Sequence, residues 1–241
     1  RRLHFRQAFE NPEPRYRAEA RLEASCRFLA ETARPTVAGM MRHLRDHHDG
    51  GTVHVPGRME GDPLGWSVCM HPDPGQAATA AGMVAELPRD PALAMGLWCA
   101  QGTPCTSVFL PVALDTPLPP PLTQGGGEPD PGSSWWALKG LGDAVMADPP
   151  RLTPLVQETW GAWEAALEAE WRADRAGAGR RLPAHVAAML EHRRELLERL
   201  GGAAARGRGD EPGRAELMAG RPATRPGDAG RGSRAGRRPS G

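Results

Sequence analysis

Four cysteines occur among 241 residues, at Cys26, Cys69, Cys99 and Cys105, and Cys69 lies two residues before His71. A thiol beside an imidazole is a unit of nucleophilic catalysis and also half of a zinc site. In "WSVCMH", Trp66 to His71, the alternation of a strand puts Ser67, Cys69 and His71 on one face and Trp66, Val68 and Met70 on the other. Cys69 and His71 become same-side neighbours, roughly 6.6 Å apart along the backbone. A reactive thiol needs a nearby cation or helix N-terminus, and it needs access. A cysteine midway along an apolar strand has neither, so the expectation for Cys69 is a buried structural thiol.

A metal reading would join Cys69 and His71 to Cys99 and Cys105. The five-residue gap between the last two is looser than a zinc knuckle, and the expectation is no metal and no cofactor. If "CAQGTPC" is a hairpin loop, Cys99 and Cys105 face each other at its mouth as reduced structural thiols, with an oxidised pair as the alternative. His47 and His48 follow a predicted helix, where the dipole alone favours a cationic imidazole. His185 and His192 are seven apart on another predicted helix and read as solvated surface.

The elements that must position these groups follow from periodicity. "RAEARLEASCRFLAETA" from Arg17 carries Leu22, Cys26 and Leu29 at helical spacing, and "PTVAGMMRHLRDHHDGG" repeats the theme, with Pro35 in the first turn and Gly50 as a C-terminal cap. Between Trp66 and Leu114 four apolar runs, "WSVCMH", "ATAAGMVAEL", "LAMGLWCA" and "TSVFLPVAL", alternate with loop-forming clusters and predict an antiparallel meander. In the second run Thr79, Ala81, Met83, Ala85 and Leu87 share one face. Ala80, Gly82 and Val84 on the other are also small or apolar, which predicts cover on both sides.

A Pro/Gly linker, about 115–132, is expected to have no core-forming capacity. Helices resume with Ser133 or Ser134 as a cap. Thr153-Pro154 should start a helix bearing a stripe of Val156, Trp160, Trp163, Leu167 and Trp171, and a last helix should run from Pro183 to Leu200, stopped by Gly201-Gly202.

Composition narrows the class. Residues 201–241 hold nine Arg against four acids and no aromatic residue, so they are expected to form a disordered tail. Residues 1–200 then carry a net charge of about −4, and Lys139 is the only lysine of the chain. The "RGD" at Arg208 to Asp210 and the Arg/Gly runs could touch RNA, yet without aromatic stacking groups nucleic acid is not the expected partner. No apolar run approaches the roughly 20 residues of a membrane span and no secretory signal opens the chain, so the expectation is a cytoplasmic protein without a membrane partner.

The block from Ser67 to Pro111 resembles the later half of the secernin and cysteine-nucleophile dipeptidase family. The residues carrying the resemblance are Cys69-Met70-His71, Thr79 with Met83-Val84-Ala85-Glu86-Leu87, Trp98, Gly102-Thr103-Pro104-Cys105-Thr106-Ser107 and Phe109-Leu110-Pro111. Trp135-Trp136, "ALEAEW" and "TVAGMMRHLRDH" resemble its flanking helices, so the similarity covers about residues 1–175; the family is more charged where "ALKGLGDAV" is glycine-broken.

The resemblance implies an α+β fold, part of an αββα N-terminal nucleophile hydrolase sandwich in which two antiparallel sheets lie between helices. Residues 1–200 would form its C-terminal portion. In such enzymes a cysteine acts through its own α-amino group and an acyl-enzyme. That nucleophile is expected upstream of Arg1, so this chain would hold no catalytic residue and would be inactive alone. Its contributions would be His71 and Thr79 toward a small peptide or acyl-amino substrate, with Cys69, Cys99 and Cys105 structural. Assembly as a homo-oligomer stays open, and a non-catalytic secernin-like interaction protein is the alternative function.

Overall fold

The computed structural model describes residues 18–48, 52–56, 67–71, 78–90 and 92–209. The chain divides into compact units Arg1–Ala204 and Ala205–Gly241, the second described only at Ala205–Gly209. In order the first unit contains α1 (Ala18–Glu31), α2 (Val37–Leu44), β1 (Ala81–Glu86), β2 (Gly96–Gln101), a 3-10 turn (Pro104–Thr106), β3 (Leu110–Val112), α3 (Pro120–Thr123), α4 (Ser134–Val145), α5 (Pro149–Ala173) and the body of α6 (Ala178–Gly209). The fold is α+β. The described residues form one antiparallel three-stranded sheet, ordered β1-β2-β3 with Val84 opposite Trp98 and Trp98 opposite Pro111.

Local signals explain most of these elements. Thr36 caps α2 by accepting from the Gly39 amide at 3.0 Å, so Pro35 lies just before the helix instead of in its first turn. Helix α2 ends at Leu44, which leaves His47 and His48 beyond it; Gly50 and Trp66 lie outside the described residues. Ser133 is the cap of α4. Gly102 turns the chain after β2 at φ 80°, a conformation that favours glycine, and its amide donates to Ala80.

Several expectations need correction. Ser67–His71 form bends, not a strand. Their one sheet-like feature is a double link to Thr79, whose amide donates to the Met70 carbonyl while its hydroxyl accepts from the Met70 amide. Helix α5 starts at Pro149, not at Thr153-Pro154. Two prolines in the first turn lack only donors that would be unpaired there, and Pro154 falls early in the helix at the cost of one bond. Helix α6 starts before Pro183 and continues through Gly201-Gly202, because buried Leu200 and Ala203 hold its last described turns and Arg151 donates to the Ala203 carbonyl. The linker is also not idle: Leu122 packs on the core and its carbonyl accepts from Gln101.

One face of the sheet is covered along all three strands, the other only toward β3. Val84, Trp98 and Ala100 are buried in one core with α5, whose Val156, Trp160, Leu167 and Trp171 are buried and whose Trp163 is half-buried, as the stripe predicts. Trp98 meets Trp171 edge-on at 6.2 Å, an approach that needs Gly96, where a Cβ would lie 2.9 Å from the Trp171 ring. The other face is open at β1: Met83 is 62% and Leu87 71% exposed. Among the described residues, two-sided cover is therefore absent along β1 but present toward β3, where Leu110 and Val112 on that same face are buried beside Leu138 and Met189. The apolar side of α1 is open too, with Leu22, Cys26 and Leu29 exposed.

One buried ion pair ties α2, α5 and the 3-10 turn. Arg45 donates to both Glu164 oxygens, at 2.9 and 2.5 Å, and to the carbonyls of Pro104 at 2.9 Å and Ser107 at 3.0 Å. Glu164 also accepts from the Phe109 amide at 2.7 Å. Breaking such a pair from one side leaves an uncompensated buried charge. Glu164→Ala should therefore lower unfolding stability by about 3–5 kcal/mol, with the Arg45→Met/Glu164→Leu double variant losing clearly less, as read by urea denaturation.

His43 on α2 stacks on Phe28 of α1 with ring centroids 4.5 Å apart, and its Nε2 lies 2.9 Å from Ser25 Oγ. Burial lowers its pKa, with Asp46 partly opposing. The folded state thus binds the proton more weakly than the unfolded chain, so this contribution is fully present above the ordinary value of 6.5 and is lost as pH falls through the lower folded value. Thermal melts should show a stability loss on acidification below pH ~6.5 that shrinks in His43→Gln.

Candidate functional site

Three separate loops converge on one point of the core. The segment after α2 brings His47, the bends at 67–71 bring Cys69 and His71, and the 3-10 turn brings Cys105. The nearest ligand atoms of these four residues all lie within 4.8 Å of one another. His71 Nε2 is 3.1 Å from Cys105 Sγ and 3.6 Å from Cys69 Sγ, and the His47 and His71 rings are 5.1 Å apart.

Each loop is fastened by its own hydrogen bonds. The Cys69 amide donates to the Asp46 carbonyl at 3.1 Å, and Ser67 Oγ donates to the Cys69 carbonyl at 2.6 Å. The Cys105 turn rests on one face of α5. Gln157 Nε2 donates to the Cys105 carbonyl and Trp160 Nε1 to the Thr106 carbonyl, both at 3.0 Å, and Glu164 holds Arg45 above. Gln157 also exchanges bonds with both backbone groups of His54. Gln157, Trp160 and Glu164 are spaced i, i+3, i+7, so a single helical face reads the whole turn. The apolar stripe drew attention to Trp160 alone; a polar residue on either side of it at helical spacing was the available signal for the other two.

The two sulfurs differ. Burial drives the Cys69 thiol up, but Cys105 and the His47 and His71 rings outweigh it and bring the group well below the ordinary thiol range. Burial, then the neighbouring Cys69, holds Cys105 well above it. Of the two, Cys69 is therefore the one that gives up its proton more readily. Both residues are 0% exposed, and nucleophilic attack on a substrate needs the access that this closure denies. What the cluster can do is hold its own loops together, and its donor set matches that of a closed four-coordinate metal site.

The remaining expected residues fall elsewhere. Cys105 does not face Cys99 across a hairpin mouth. Cys99 lies on the face of β2 away from Trp98, half-buried beside a cavity of about 130 Å³ lined by Val108, Leu110, Leu122, Leu138 and Met189, and burial raises its pKa. Thr79 is half-buried and engaged with Met70, so its hydroxyl positions the bend next to His71. His185 is not solvated surface: it is buried, with Nε2 3.2 Å from Glu170 Oε2. His192 packs against the edges of Trp160 and Trp163. A helix dipole alone accounts for His47 in the sequence; its place in the cluster arises only once the chain is folded.

Thiol alkylation of the native protein should modify exposed Cys26 first and leave Cys69 and Cys105 unmodified until the protein unfolds, as read by peptide mass mapping. Compared with protein-family models, curated proteins and solved structures, the chain matches none.

Proposed function

We propose that this chain is the C-terminal part of a secernin-like dipeptidase, an amide hydrolase of the N-terminal nucleophile class. The observation that carries the reading is the sheet's outer face, which is bare along β1. Its inner face is packed under helices. Along β1 its outer face presents Ala81, Met83, Ala85 and Leu87 to solvent, whereas toward β3 the same face is closed, with Leu97 and Cys99 half-buried and Leu110 and Val112 buried. A bare apolar strand of this kind is what a sheet of an αββα sandwich has where part of the opposing layer is supplied by other residues.

Two further features support it. Among the described residues β1 pairs only with β2, so its other edge is open. A groove of about 540 Å³ runs along that edge between Pro35–Met40 and Trp171–Arg172, beside Met83 to Leu87. An extra strand can be seated there by backbone pairing. Covering Met83 and Leu87 alone would contribute roughly 1.5–3 kcal/mol each.

In this reading the nucleophilic cysteine stands upstream of Arg1 and forms the acyl-enzyme. This chain supplies the helix-backed sheet. Thr79, just before β1, lies toward the substrate, while His71, held between the sulfurs, stays structural with Cys69, Cys99 and Cys105. The substrate class is a small peptide or acyl-amino compound.

The isolated 241 residues should turn over no dipeptide and should self-associate, with Met83→Lys/Leu87→Lys shifting the mass distribution toward monomer. The same reading frame expressed with the coding sequence upstream of Arg1 should hydrolyse dipeptide amides. Turnover by the isolated chain that Cys69→Ala abolishes would overturn the proposal, and an inactive longer protein would favour the non-catalytic interaction reading.

A further inference from the structure

We propose that His47, Cys69, His71 and Cys105 form a structural zinc site, a closed Cys2His2 centre that pins the 67–71 segment to the end of α2 and to the 3-10 turn. The inference does not depend on the hydrolase reading. It rests on the convergence of these four donors from three loops, with all their ligand atoms within 4.8 Å.

Bond lengths of about 2.3 Å to sulfur and about 2.0–2.1 Å to nitrogen put tetrahedral S···N edges near ~3.6 Å. Cys69 Sγ to His71 Nε2 is 3.6 Å, and Cys105 Sγ to the same nitrogen is 3.1 Å. These two edges stand at close to ligand–ligand spacing, and the remaining donors, all within 4.8 Å, need only move inward to enclose a central ion.

Protons alone satisfy the cluster poorly. His71 Nε2 lies against both sulfurs, yet one ring nitrogen carries either one proton or one lone pair and can fully serve only one of them. Neither ring nitrogen of His47 reaches a partner in hydrogen-bond geometry, although both are shielded from solvent. A buried polar group left in that state is costly. A divalent ion at the centre takes a lone pair from each of the four residues. With two thiolates the centre is electrically neutral, which removes the penalty of burying net charge.

The closure indicates a structural role: four protein ligands fill the coordination sphere, and Cys69 and Cys105 are wholly buried, so no position is open to substrate. The outer shell is in place as well. The Gln157 bond to the Cys105 carbonyl and the Asp46 carbonyl's bond to the Cys69 amide orient both thiolates from behind. Cys99 and Cys26 lie outside the cluster and serve as controls.

The test uses the intact chain and the metal alone. Purified protein should retain about one zinc per chain. Cobalt replacing it should give the visible bands of a tetrahedral site together with thiolate-to-metal charge transfer. Cys69→Ser, Cys105→Ser, His71→Ala and His47→Ala should each abolish or distort that spectrum. They should weaken zinc binding by more than the roughly 10–100-fold cost of removing an outer-shell partner, whereas Cys99→Ser and Cys26→Ser leave it intact. Chelation should lower the melting temperature of the unmutated protein and zinc should restore it, a readout independent of whether the variants fold. Absence of a tetrahedral cobalt spectrum, a melting temperature indifferent to chelator and zinc, or a Cys69–Cys105 disulfide in protein kept under reducing conditions would each overturn the proposal.

Discussion

A guanidinium and a carboxylate removed from water must satisfy each other and every remaining donor and acceptor, and Arg45 with Glu164 does so across three elements. The forked pair uses both Glu164 oxygens. Arg45 then spends its other hydrogen bonds on the carbonyls of Pro104 and Ser107, and Glu164 takes the Phe109 amide. Because the pair is desolvated, its geometry is exacting, and a small displacement of any one element would leave a charge exposed to an apolar interior. The position of the 3-10 turn relative to α5 follows from this constraint, and with it the position of Cys105.

From that turn outward the molecule is organised by one helix. Helix α5 presents Val156, Trp160, Leu167 and Trp171 to the sheet, and Gln157, Trp160 and Glu164 to the loop backbones around the cysteine–histidine cluster. Core packing and loop placement are thus coupled through a single rigid rod. Glu86 fastens its far end by accepting from Trp171 Nε1 at 3.1 Å and from Arg175 at 2.5 Å. The inner face of the sheet has no freedom left, whereas the outer face and the open edge of β1 remain available. An asymmetry of this kind accommodates a second layer without disturbing the first.

The cluster illustrates how burial changes the meaning of reactive residue types. Cysteine and histidine two positions apart suggest a nucleophile and base in the abstract. With Cys69 at 0% exposure and a second thiol and a second imidazole in reach, the neighbours lower the pKa of a sulfur that no substrate can approach. Its chemistry is directed inward, toward the loops that carry it.

The sequence by itself determined the helices of α1, α4 and α5 in outline, the antiparallel runs of β1 to β3, the tryptophan stripe and the burial of Cys69. Those features depend on local periodicity, capping and apolar content, which are written along the chain. It misjudged the start of α5, the extent of α6 and the bends at 67–71, where tertiary contacts outweigh the modest preferences of proline, glycine and β-branched residues. The tertiary structure alone decided that Cys105 meets His71 and not Cys99, that His47 joins them, and that Gln157 and Glu164 hold the turn. Those partners lie tens of residues apart, and their meeting is settled by how helices and sheet pack together, a quantity that no local spacing encodes.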